Sequence, residues 1–187
     1  MNKCKLVFTM FFSALIVFFA FGATDASAAQ NDDYEKALEL IEKTNVEIDE
    51  KIDAAVEKAD GLQSAYLSEL ESKKEEEQRK VEELEEEKAE KLGELADDKK
   101  AAEERAKFDE KIQTERDNFS TLYITLEEKY NHELDVVIDD VFNETLKMST
   151  DTIALVKEMG VEAECSWKLV RFADRMVWID PIRIVGH

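Results

Sequence analysis

Proline occurs once in this chain, at position 181, and glycine only five times in 187 residues. So few helix breakers exclude a loop-rich globule and suit long uninterrupted helices. The glycines are scattered, so there is no glycine-rich loop to cradle a phosphate. Cysteine occurs at Cys4 and Cys165 and histidine at His132 and His187. A Cys165–His187 pair has no third group to orient it as a nucleophile and base. No Cys–Cys or His–His spacing suggests a metal. Glu128, His132, Asp135 and Asp139 share one helical face, and this reads as a hydrated polar face rather than a ligand set. The sequence therefore points to a non-enzymatic protein with no cofactor and no metal. Basic residues are also in short supply, 25 against 45 acidic, for a net charge of −20. Such a charge repels phosphate and excludes nucleic acid as a partner.

What is present begins with an export signal. Lys3 and Lys5 form a short positive region, Leu6 to Phe21 an uncharged apolar run, and Ala26 and Ala28 the small residues that signal peptidase requires before the cut. Residues 1–28 read as a signal peptide cleaved after Ala28, with Ala29 the neighbouring choice. The charge-free stretch from Leu6 to Thr24 is just long enough to span a bilayer, so an uncleaved anchor is the alternative. Otherwise contact with a membrane is transient, through the signal. Cys4 precedes the apolar run, whereas a lipoprotein cysteine would follow it. Cleavage removes Lys3, Lys5 and Asp25 and leaves a net charge of −21. Cys165 is then the sole cysteine, either a buried thiol or the site of a bond between chains; an intrachain disulfide framework is excluded. The expected destination is outside the cytoplasm, secreted or in the cell envelope, and the expected source is bacterial, although the signal itself does not settle it.

Residues 29–160 form an acidic coiled-coil region. Tyr34, Ile41, Ile48, Ala55 and Leu62 recur every seven residues, and Leu38, Asn45, Ile52, Ala59 and Tyr66 recur with them, offset by four. This heptad pattern keeps an apolar seam on one side of a supercoiling helix. Asn45 is its polar exception, a residue type that fixes register between helices at some cost in stability. From Glu71 to Lys107, 15 acidic and 10 basic residues leave few apolar side chains, so that stretch depends on i, i+4 pairs such as Glu76–Lys80. Gly93 to Asp98 predicts the tip of a helical hairpin. Ile112, Phe119 and Leu126, then Leu134, Val141, Met148 and Leu155, continue the seam. Ser149 or Thr150 is expected to cap a new helix near Asp151, and Gly160 to end it.

Residues 161–187 change character. Cys165 to Phe172 and Met176 to Ile179, the latter continued by Ile182 to Val185, have strand composition, and Ala173 to Arg175 supplies a turn. From Cys165 onward four basic residues oppose two acidic ones. Trp167, Arg171, Phe172, Arg175, Trp178 and Arg183 are the candidate partner-docking residues. A lone two-stranded hairpin is marginal in water, so these aromatics need cover from the helices, a second copy or a partner. Arginines pairing with the acidic helices over an aromatic core is the plain structural alternative.

The fold expected is mainly α, an antiparallel hairpin of long amphipathic coiled-coil helices with a small C-terminal β-hairpin. The function expected is that of an extracytoplasmic scaffold, spacer or adaptor that self-associates or docks on another envelope protein through the hairpin. An accessory or inhibitory subunit of an envelope enzyme is one alternative. A holdase-type chaperone is another, although no strand precedes the first helix and the helices are strongly acidic.

Overall fold

A computed structural model describes residues 26–186. The short positive region, the apolar run, Cys4 and His187 lie outside the described residues, as does nearly all of the expected signal segment. Two helices dominate, α1 (Ala26–Gly93) and α2 (Asp98–Glu158). At about 1.5 Å per residue they run roughly 100 and 90 Å. They are antiparallel: Thr44 meets Thr152, Lys51 meets Glu144, Lys80 meets Glu115 and Lys88 meets Asp109. The tip falls where the glycine and aspartates predict it. Asp97 caps α2, its carboxylate accepting from the backbone of Lys99 (2.9 Å) and Lys100 (3.2 Å).

α2 runs through Ser149 and Thr150 without a break, which corrects the expected new helix near Asp151. The Thr150 hydroxyl donates to the Leu146 carbonyl one turn back, and the Ser149 hydroxyl reaches across to the backbone oxygen of Asp180. Both hydroxyls are used inside a continuous helix, and neither is left to cap a new one. The end at Gly160 is as expected. Val161 N–H bonds the Val156 carbonyl and Gly160 N–H bonds that of Lys157, the paired contacts of a Schellman stop. Val156 and Val161 then pack in one apolar cluster.

Gly160 has φ +86, and a Cβ built there meets nothing within 4 Å. Gly160→Ala is thus expected to lose about 1 kcal/mol through backbone strain alone. Gly61 lies inside α1 in equally open space. Gly61→Ala is expected to add about 0.5–1 kcal/mol. Urea midpoints of the two variants should therefore move in opposite directions, and a shared direction would refute this account of the stop.

Four short strands follow: β1 (Glu162–Cys165), β2 (Lys168–Phe172), β3 (Arg175–Ile179) and β4 (Ile182–Gly186). β2 pairs antiparallel with β3, and β1 with β4. The register is the same on both sides of the gap, since Cys165 opposes Ile182 and Lys168 opposes Ile179, while Ser166 N–H reaches the Pro181 carbonyl between them. The strands thus form one long ribbon with a break at Asp180–Pro181, folded about a two-residue turn at Ala173 and Asp174. Ala173 sits at φ 52 in that turn, a position glycine usually takes.

The ribbon lies along the open end of the helical hairpin and closes two clusters. One joins Ile48, Ile52 and Ala59 of α1 with Tyr130, Leu134, Val137 and Val141 of α2 and with Val170, Phe172 and Ile179 of the ribbon. The other joins Ala37 and Ile41 with Val156, Val161 and Ile182. Past the ribbon's turn, about 50 Å of two-helix rod continues alone to the tip. There the core thins to side chains such as Phe108, Ile112 and Leu126. Charged pairs cover the rod: Glu76 bonds Lys80 as expected, and Arg79 and Lys91 pair with Glu83 and Glu94.

Candidate functional site

Each strand of the ribbon has two faces of alternating side chains. Val170 and Phe172 of β2 face the helices with Val177 and Ile179 of β3. Leu169 and Trp178, which oppose one another across the strands, point outward beside Met176. Trp178 is 54% exposed, Met176 56%, Leu169 44% and Trp167, next to the break, 48%. These four side chains make an apolar patch on the outer face of the ribbon, and Arg171 flanks it.

A flat ribbon would carry that patch on into the second half, because Cys165 and Ile182 are each four residues from Leu169 and Trp178. It does not. Ile182 is buried, while Glu162, Glu164 and Arg183 are exposed. The ribbon rolls over at the Asp180–Pro181 break, so opposite faces pack on the helices before and after it. Pro181 cannot donate to the ladder and suits such a break.

The six docking candidates separate accordingly. Trp167 and Trp178 are accessible. Phe172 is fully buried among Ile48, Ile52 and Leu134, which corrects its placement among docking residues: its strand position puts it on the inner face, where it is core. Arg171 lies 3.6 Å from Asp60 of α1 and donates to the Ala173 carbonyl. Arg175 is held by Asp135 and, at 2.6 Å, by the Asn131 side chain of α2. Arg183 pairs with Glu164 directly across the β1–β4 ladder, its Nε at 2.8 Å. Lys168 reaches Asp49 of α1 at 2.8 Å. The ribbon's four cations are therefore matched within the chain, and β1 adds Glu162 and Glu164, so the ribbon as a whole is neutral. Exposed pairs of this kind stabilise by about 0–1 kcal/mol each, enough to orient the ribbon rather than hold it.

Of the seam residues, Ile41, Ile48 and Ile52 are buried and Leu62 packs against the main cluster. Asn45 does something the heptad pattern did not suggest. Its Nδ2 donates to the Ile182 carbonyl at 2.9 Å, and its Oδ1 accepts from the Ile182 N–H at 2.8 Å. The bond between Ser166 and Pro181 makes theirs the hydrogen-bonded pair, so the alternation turns both backbone groups of Ile182 away from β1. Asn45 satisfies both, binding helix to strand edge rather than setting register between helices.

At the other end of the ribbon, Tyr130 donates to Asp174 at 2.8 Å and stacks on Tyr66, ring centroids 4.8 Å apart. Burial, together with that bond, pushes the Tyr130 phenol up to about 12. A band of buried polar groups separates the two apolar clusters: Thr44 bonded to Thr152 at 3.0 Å, Thr145 bonded to the Val141 carbonyl, Ser149, and Asp180. Asp180 is fully buried, and neither carboxylate oxygen has a hydrogen-bond partner.

Cys165 is half-buried in β1. Asp135, from the considered polar face of α2, is engaged by Arg175. Among the described residues no group of three His, Cys, Asp or Glu side chains is placed to hold a metal ion, and no helix is long and apolar enough to cross a membrane. The grooves between the helices are lined by side chains such as Lys73, Glu76, Lys80 and Glu115. Outward Trp178 and inward Phe172 could not be told apart from composition, because both faces of β2–β3 are apolar. The chain matches no family model, no curated protein and no solved structure among those compared.

Proposed function

We propose that the chain is an exported, non-enzymatic scaffold or adaptor. On this reading the helical rod acts as a spacer, and the outer face of the ribbon is the docking element on another envelope protein. The observation that carries this reading is the patch formed by Trp167, Leu169, Met176 and Trp178. It lies at the base of an acidic rod whose surface is otherwise rich in ion pairs. Aromatic and methionine side chains are enriched in protein interfaces, and charged ones are depleted from their centres. The ribbon's arginines are spoken for by the helices and by Glu164, so docking is assigned to the apolar patch rather than to cationic attraction.

Expression of the full chain in a bacterial host tests the first half of the reading. The expected product is extracytoplasmic and begins at Ala29 or Gln30. Full-length protein retained in the cytoplasm would overturn it. The second half is tested by the paired change Leu169→Ser and Trp178→Ser, which touches only exposed side chains. Binding to an envelope partner should be lost while the helical signal and urea midpoint stay put. Unchanged binding would remove the patch from the reading.

A further inference from the structure

The buried carboxyl group of Asp180 sits where the ribbon changes face. Its own carbonyl is fixed by Ser149 of α2, and two residues later Asn45 of α1 grips the backbone of Ile182. The side chain is thus enclosed at the point where both helices hold the ribbon. Neither oxygen is hydrogen-bonded. A buried carboxylate without a partner is costly, and protonation removes most of that cost.

We propose that Asp180 is a proton-operated latch: when its carboxyl is neutral the ribbon is held more firmly on the helices, and when it ionises the ribbon around the Asp180–Pro181 break opens toward solvent more readily.

The surroundings leave the group to act alone. The side chains that form the buried polar band on α1 and α2 are Thr44, Thr145, Ser149 and Thr152, all uncharged, and Asn45 beside them is uncharged too. On the ribbon, the cations nearest in the ladder are Lys168, opposite Ile179, and Arg183, and these are engaged by Asp49 and Glu164. Burial alone pushes the Asp180 carboxyl up to about 6, with no charged neighbour contributing. Once the ribbon lifts, the carboxyl returns to its ordinary value of 3.8. The docked form therefore binds the proton more tightly, and its advantage is full below 3.8 and lost as pH rises through 6. Release uncovers Ile179 and Ile182 and the helix side chains beneath them, so the latch sets how much apolar surface the base of the rod presents.

Amide hydrogen exchange tests this on the full mature chain, using protection factors corrected for the intrinsic effect of pH. From pH 7 to pH 5, protection of the β3 and β4 amides should rise about tenfold, as one proton linked to a shift of this size requires. In Asp180→Asn the same amides should change far less. General relief of acidic repulsion acts on both proteins, so the difference between them isolates Asp180. Equal pH slopes in the two would overturn the proposal. Carbon NMR titration of the Asp180 carboxyl in the unaltered protein needs no variant: a midpoint near 6 is expected, and one below 4.5 would also overturn it.

Discussion

Phe172→Ala is expected to lower folding stability by about 3–5 kcal/mol, the range for truncating a fully buried aromatic ring. The ring is the largest fully buried side chain of the ribbon, packed in the cluster that contains Ile48, Ile52 and Leu134. No other ribbon side chain in that cluster is as large. The loss should be local as well as large. About half of the rod lies past the ribbon's turn, where Asp174 meets Tyr130, so helical circular dichroism should survive at low urea after the ribbon has come away. Urea unfolding followed by tryptophan fluorescence reports the ribbon alone, because Trp167 and Trp178 are the only tryptophans in the chain. The fluorescence transition should shift to much lower urea than the helical one. A variant that keeps both transitions within about 1 kcal/mol of the original would place Phe172 outside the core.

Asn45→Leu distinguishes two accounts of one residue. A polar residue in a heptad seam costs stability, so if Asn45 served only to set helix register, leucine would stabilise the protein. The contacts predict the reverse. Leucine leaves the N–H and C=O of Ile182 unpaired at a partly buried strand edge, at about 1–3 kcal/mol for each group. A net loss of about 2–4 kcal/mol is expected by the same fluorescence measurement. Asn45→Asp keeps the acceptor for the Ile182 N–H but turns an oxygen toward its carbonyl, so it should rescue little. A gain in stability with leucine would return Asn45 to the register role.

Much of this architecture was legible in the sequence, because the signals involved are local. Heptad spacing, the tip between Gly93 and Asp98, the stop at Gly160 and the strand composition after it each depend on neighbours within a few residues. Three features were hidden for a common reason. Asn45 finds its partner 137 residues away, and no periodicity carries that pairing. Asp180 enters the sequence reading only as one of the two acidic residues after Cys165, and only the roll of the ribbon buries it. Phe172 and Trp178 are both aromatic strand residues, and which one faces inward depends on where the helices lie. Ser149 misled in the opposite sense: a good capping residue by type, it spends its hydroxyl on a distant carbonyl instead.

The distance between Asn45 and Ile182 also bears on how the chain is made. At synthesis rates of about 5–20 residues per second, roughly 7–27 s separate the appearance of the helix residue from that of the strand it grips. Through that interval Ile48, Ile52 and later Leu134 wait without the layer that will cover them. A nascent chain must therefore pass its apolar base uncovered to whatever handles it, and the ribbon closes it only at the end. The same order delays completion of the native core until the C-terminal ribbon has emerged, as the proposed export would require.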